Sequence, residues 1–222
     1  MLNLIPFNGI KTIFFDYDGT LHNSIKIYAP AFRKAYDYLI KSGFAESREW
    51  TEIEISYWLG FNPQDMWEKF MPTLDESIRS KCSKIIGDEM KSLIEQGKPV
   101  LYKGVLEILE YLKNKGYRLV FISNCKIYYL DGHKRLFGLD RYFEELASSE
   151  EYGFVPKHEI LGMLKHKYPA EMIIIGDRKQ DIEAGKKNDI YTIGCSYGFS
   201  FKGELDEADL LIDNIQELKK YL

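Results

Sequence analysis

Short, uniformly apolar runs that each end in polar residues recur along this chain, separated by stretches of helical period. Ile13-Phe14-Phe15, Tyr117 to Ser123, Met172 to Ile175, Ile190 to Cys195 and Leu210 to Ile212 read as buried strands, with a short one at Glu145 to Ser148. Between them, Val105, Leu106, Leu109 and Leu112 mark a helix that stops at Lys115-Gly116. Another helix runs to about Phe137-Gly138, and others cover Lys157 to His166, Asp181 to Lys187 and the chain from about Ile215. One block breaks the alternation. From about Ser24 to Gly97 the pattern is helical throughout, opening with Ile27, Ala31, Ala35, Tyr38 and Leu39 at three- and four-residue intervals up to Gly43. Further helices are predicted over Glu52 to Leu59 and Asp65 to Met71. Thr73-Leu74-Asp75-Glu76 has the form of a capping box opening a long helix that ends near Gly97-Lys98-Pro99.

Strands alternating with helices predict a parallel sheet with right-handed crossovers. The fold class expected is α/β: a Rossmann-like, doubly wound parallel sheet interrupted by an all-helical insert. Residues 1–22 and 99–222 would form the core and residues 23–98 a cap. The 222 residues suffice for this, and 45% hydrophobic with 14% aromatic residues can bury a sizeable core. A net charge of -4 without a dense Lys/Arg tract points away from a nucleic acid polymer as partner. Met1 to Phe7 carries no basic residue, so no signal peptide is expected, and the longest apolar runs are too short for a bilayer. Cys82, Cys125 and Cys195 are too scattered for a disulfide framework, which suits a reducing cytoplasm. No membrane association is expected, and the chain would be a monomer or homodimer.

The chemistry sits where the apolar runs end, which in open α/β sheets is where ligands bind. Asp16-Tyr17-Asp18-Gly19-Thr20 follows the first strand: its two carboxylates can share a divalent cation, while Gly19 allows a sharp turn close to a phosphate. A tight turn would also favour Asp and Gly for conformational reasons alone. Ser123-Asn124 ends a second strand and offers a hydroxyl and an amide to phosphoryl oxygens, or a helix N-cap. Gly176-Asp177-Arg178-Lys179-Gln180-Asp181 ends a third. Asp177 can complete a hard-oxygen site with Asp16, and Asp181 can hold a coordinated water or orient Lys157. Mg²⁺ suits such donors; the alternative is an Asp N-cap and a solvated charge. Lys157 opens a helix and could pair with an attacking carboxylate, although a lysine read alone belongs to the surface. His22, just past the first motif, either lines the site or is structural.

With these four elements in order, the chain resembles the haloacid dehalogenase superfamily, in its phosphoglycolate-phosphatase-like branch with a helical cap. Asp16 to Thr20 match Asp-x-Asp-Gly-Thr, Ser123 and Asn124 the Ser-Asn motif, Lys157 the motif-three lysine and Gly176 to Asp181 the Gly-Asp-x-x-x-Asp motif. Two positions depart from the pattern: Lys157-His158 stands for the common Lys-Pro, and Cys125 follows the Ser-Asn pair. The resemblance implies a Mg²⁺-dependent phosphatase acting on a small phosphorylated metabolite, a phosphoglycolate, nucleotide or sugar phosphate. Asp16 would become a phosphoaspartate, and Asp18 would act as general acid, then base. The metal would be held by Asp16, Asp177, Asp181 and the backbone carbonyl of Asp18. Gly19, Ser123, Asn124 and Lys157 would bind the substrate phosphate. A β-phosphoglucomutase-type phosphomutase shares this architecture. A non-catalytic phosphate-binding regulator would need neither nucleophile nor acid. Specificity would reside in the cap, near Leu59-Gly60-Phe61-Asn62, while Trp50, Trp58 and Trp67 are better explained as core than as specificity elements.

Overall fold

The computed structural model describes Phe7, residues 9–61 and residues 63–222. The expectations for residues 1–6 and for Asn62 lie outside the described residues. The chain divides into two compact units, Met1–Asn23 with Leu101–Leu222, and Ser24–Val100.

The first unit is built on six strands: β1 (Thr12–Phe15), β2 (Arg118–Ser123), β3 (Glu145–Ser148), β4 (Met172–Gly176), β5 (Tyr191–Cys195) and β6 (Leu210–Ile212). They form one sheet in the order β3-β2-β1-β4-β5-β6, and every pairing is parallel. This is the doubly wound α/β architecture, with the strand order reversing direction beside β1. Helices α5 (Val105–Asn114), α6 (Ile127–Phe137), α7 (Lys157–Lys165) and α8 (Lys179–Lys187) provide the crossovers. Because side chains alternate across a strand, Phe14, Val120, Ile122 and Ile174 pack with Ile160, Leu161 and Leu164 of α7 and Ala184 of α8. The rings of Phe15 and Phe121 meet Phe143 edge-on, at centroid distances of 6.1 and 5.8 Å. Strands buried on both faces explain why the sequence shows apolar runs here rather than alternation. Phe15 pairs with both Phe121 and Ile175 in register, so the residues that follow these strands emerge together at the carboxyl end of the sheet.

The second unit is all-helical: α1 (Ile25–Lys41), α2 (Glu52–Ser56), α3 (Pro63–Phe70) and α4 (Glu76–Glu95). Its core includes an aromatic cluster in which Phe70 lies 5.4 Å from Phe32, 5.4 Å from Trp50 and 5.1 Å from Trp58, centroid to centroid. Trp67 is fully buried and donates its indole N–H to Ser83 Oγ at 2.8 Å. These contacts account for the three tryptophans as packing residues.

One local expectation is corrected. The cap of α4 is Asp75, whose carboxylate accepts from the Ser77 amide at 2.8 Å, and not Thr73. A turn from Met71 to Leu74 absorbs Thr73 and moves the helix start to Glu76. A capping box does form at α2, between Thr51 and Glu54. The helix expected from about Ile215 is present as a 3₁₀ helix, Ile215–Lys220. Asn214 caps it, and the Gln216 amide donates to the Gly104 carbonyl at 2.7 Å.

Candidate active site

Asp16 leaves the end of β1 with its amide N–H still donating to Ile175 O at 2.9 Å, so the sheet itself fixes its backbone. Its carboxylate is buried and is met by an equally buried lysine, whose Nζ lies 2.6 Å from Asp16 Oδ1. That lysine is Lys157, the first residue of α7, and it also donates to Asp181 Oδ1 at 2.5 Å. Asp181 is oriented from its other oxygen by the Arg178 N–H at 2.9 Å. Asp177, fully buried after β4, accepts the Phe199 N–H on Oδ2 at 2.6 Å. The Thr20 hydroxyl lies 3.3 Å from Asp16 Oδ2 and 3.4 Å from Asp177 Oδ1, between the two carboxylates.

Asp16, Asp177 and Asp181 present carboxylate oxygens within 4.8 Å of one another, all buried. Burial and then the Asp181 charge push Asp16 up to about 7 despite the neighbouring lysine. Burial and then Asp16 and Asp181 hold Asp177 well above the ordinary carboxylate range. Burial alone would lower Lys157, but Asp16 and Asp181 outweigh it and raise the ammonium's pKa. Three carboxylates around one ammonium leave net negative charge in a buried place, which a hard divalent cation would neutralise.

Gly19 makes this crowding possible. It has φ +89, and a Cβ there would lie 2.1 Å from Asp177 Oδ2. Its own N–H donates to His22 O at 2.9 Å, so the residue contributes space beside Asp177 and a turn closure. Ser123 is buried at the end of β2, beside β1, whereas Asn124 is exposed.

Asp18 stands apart from the acidic cluster. Its side chain is about a third exposed (34%), and Oδ1 is met by His22 Nδ1 at 2.9 Å and the Tyr129 hydroxyl at 2.6 Å. Burial would raise its pKa, but these hydrogen bonds prevail and lower it. Burial, then the Asp18 charge, keep the Tyr129 phenol well above its usual value and hence protonated. His22 is thus a fully buried partner of Asp18. Thr20, Phe199 and Tyr129 are site neighbours that sequence reasoning missed. Thr20 stood inside the first motif and could have been read. The Phe199 amide and Tyr129 hydroxyl come from distant segments and carry no local signature.

A family model described as haloacid dehalogenase-like hydrolase matches residues 13–195. A phosphoglycolate phosphatase of Pasteurella multocida is 29% identical over 229 residues, covering 94% of this chain and 96% of the relative. A pyrophosphatase of Bacillus mycoides is 21% identical and covers 94% and 95%. A solved structure of a haloacid dehalogenase-like hydrolase from Streptococcus pneumoniae superimposes with TM-score 0.76 at 23% identity, over 96% of this chain and 98% of that one, a likeness of fold. Among the described residues no helix is long and apolar enough to cross a membrane.

Proposed function

Because this chain belongs to the haloacid dehalogenase-like hydrolases and is a phosphoric monoester hydrolase, we propose that it is a Mg²⁺-dependent phosphatase of a small phosphorylated metabolite, working through a phosphoaspartate on Asp16. The observation that carries this reading is the buried Lys157 bridging Asp16 and Asp181 with Asp177 alongside. It combines a nucleophile, a fixed cation and an all-oxygen donor set. These donors fit a hard cation, since they are carboxylates whose mutual repulsion is otherwise incompletely balanced. Asp16, Asp177, Asp181 and the Asp18 backbone carbonyl would hold Mg²⁺, which when bound neutralises charge on the carboxylates and the phosphoryl oxygens.

In the first step an oxygen of Asp16 forms a bond to phosphorus while the bond from phosphorus to the ester oxygen breaks. The electron pair of that bond goes to the leaving oxygen, and protonated Asp18 gives it a proton, releasing an alcohol. In the second step Asp18 takes a proton from water as the water oxygen attacks phosphorus. The bond to Asp16 breaks, and inorganic phosphate and the free carboxylate are restored. Lys157 balances the phosphoryl charge and holds Asp16 in line, and Ser123 donates to a phosphoryl oxygen. Asn124, exposed past β2, contacts the substrate phosphate or its near surroundings. The helical unit, inserted between β1 and the rest of the core, is assigned the selection of substrate.

The test is phosphate release from phosphoglycolate, nucleoside monophosphates, sugar phosphates and pyrophosphate, with and without Mg²⁺. Metal-dependent release that disappears in Asp16→Asn is expected, and the best substrate names the class. No release from any of them, with isomerisation of a sugar phosphate instead, would replace this reading with the phosphomutase.

A further inference from the structure

Both hydrogen bonds to the Asp18 side chain fall on the same oxygen. The Tyr129 hydroxyl donates to Oδ1 at 2.6 Å, and His22 Nδ1 lies 2.9 Å from that atom. With Oδ1 as the acceptor, whether Asp18 is ionised or carries its proton on Oδ2, His22 is assigned the tautomer that donates from Nδ1, which also lies 3.1 Å from the Tyr129 oxygen. A free carboxylate rotates readily about its last torsion and exchanges its oxygens. Here the exchange would break both bonds at once.

The two donors are themselves held. The His22 ring stacks on Tyr17 with centroids 5.3 Å apart and planes at 17°. Its backbone N–H donates to Tyr17 O, and its carbonyl accepts from Gly19. Tyr129 is buried in the first turn of α6, and its carbonyl accepts from His133 Nδ1 one turn on, at 2.9 Å. The His133 ring covers it at a centroid distance of 4.1 Å. Four buried rings, Tyr17, His22, Tyr129 and His133, thus form one rigid support behind a single carboxylate oxygen.

We propose that Tyr129 and His22 are positioning residues that pin Asp18 through Oδ1 and so reserve Oδ2 as the oxygen that exchanges the proton. The proposal rests on the reading of Asp18 as general acid and base. With Oδ2 in place, the proton moves from it to the leaving oxygen as the bond to phosphorus breaks, and later from water back to Oδ2. Without the support, Asp18 keeps its chemistry but spends part of its time with the wrong oxygen, or the wrong angle, toward the substrate.

The test compares two aryl phosphates of similar size and unlike leaving groups, p-nitrophenyl phosphate and phenyl phosphate. Nitrophenolate departs with little help from an acid, whereas phenolate needs the proton, so misplacing the acid slows phenyl phosphate selectively. Tyr129→Phe is expected to lose about tenfold to a hundredfold in kcat/KM, which reports the steps up to departure of the leaving group, on phenyl phosphate, the worth of one hydrogen bond to a charged group, and only about twofold on p-nitrophenyl phosphate. His22→Leu should show the same selective loss, and His22→Asn, which keeps a donor near the Nδ1 position, should recover most of it. A far-UV melting curve for each variant reports its folding. If Tyr129→Phe folds poorly, the His22→Leu and His22→Asn pair decides the matter. Equal losses in kcat/KM on both esters, or none, would overturn the proposal. Asp18→Asn separates the two levels. Equal loss of kcat/KM on both esters in Asp18→Asn removes the acid role itself, whereas leaving-group-selective loss in Asp18→Asn but not in the support variants removes only the positioning.

Discussion

Both units of this molecule carry exposed ion pairs, but among the described residues the buried ones belong to the α/β unit. In the helical unit the ion pairs Lys26–Glu52, Arg48–Glu54 and Lys84–Asp88 all keep substantial exposure at both partners. In the α/β unit the pairs of Lys157 with Asp16 and Asp181 are almost wholly buried. Among the described residues, every buried polar or charged side chain except Ser24 belongs to the α/β unit. Burying charge costs stability unless the geometry is good and the remaining lone pairs are satisfied. A fold tolerates that cost where the charges perform chemistry, which is the role the proposed function gives to the α/β unit.

The contrast breaks most visibly at Asp16, the proposed nucleophile. Asp16→Asn is expected to lower phosphate release by on the order of ten thousandfold or more. Because it also removes one of three crowded charges, the metal-free variant should melt at or above the wild-type temperature. Lys157→Met comes next: it leaves Asp16 and Asp181 buried without their ammonium, at a cost of about 3–5 kcal/mol in urea unfolding.

A comparable effect comes from His133, which burial, then the nearby His22, hold at about 4 instead of 6.5. The unfolded chain takes up a proton at pH below 6.5 that the folded chain refuses until about pH 4. The stability this neutral imidazole contributes is therefore present above pH 6.5 and lost as pH falls toward 4, by about 3 kcal/mol. Urea titrations of wild type and His133→Phe over that range should differ by this pH-dependent amount. Mg²⁺ at about a hundred times its dissociation constant should add about 2.7 kcal/mol to wild-type stability and much less to Asp177→Asn, read by thermal melting. The smallest effect belongs to the surface pairs. Lys84→Ala should change stability by less than about 1 kcal/mol. A larger loss there would blur the distinction between the units.

How much of this was legible in the sequence follows the same division. The strands of the α/β unit are buried on both faces, so β1, β2 and β4 stand out as apolar runs, and Asp16, Ser123 and Asp177 mark their ends. The parallel sheet and right-handed crossovers follow from alternation with helices, whereas the order β3-β2-β1-β4-β5-β6 is set by tertiary pairing and had no sign in the sequence. Helix boundaries were less readable. Thr73 and Glu76 have the spacing of a capping box, yet the Met71–Leu74 turn gives the cap to Asp75. The tightening of the last helix to the 3₁₀ form had no sign in the sequence pattern. The support behind Asp18 was equally hidden. Tyr129 reaches Asp18 across 111 positions, and a tyrosine on an amphipathic helix reads as core until the fold brings the two together.

The proposed function stands on a covalent bond between Asp16 and phosphorus. The direct measurement is rapid acid quenching during turnover of the best substrate, followed by mass spectrometry of the peptide containing Asp16. A phosphoryl mass increment is expected on Asp16 that forms before the steady state and is absent from Asp16→Asn. Full turnover with no increment on that residue, or undiminished turnover by Asp16→Asn, would contradict it.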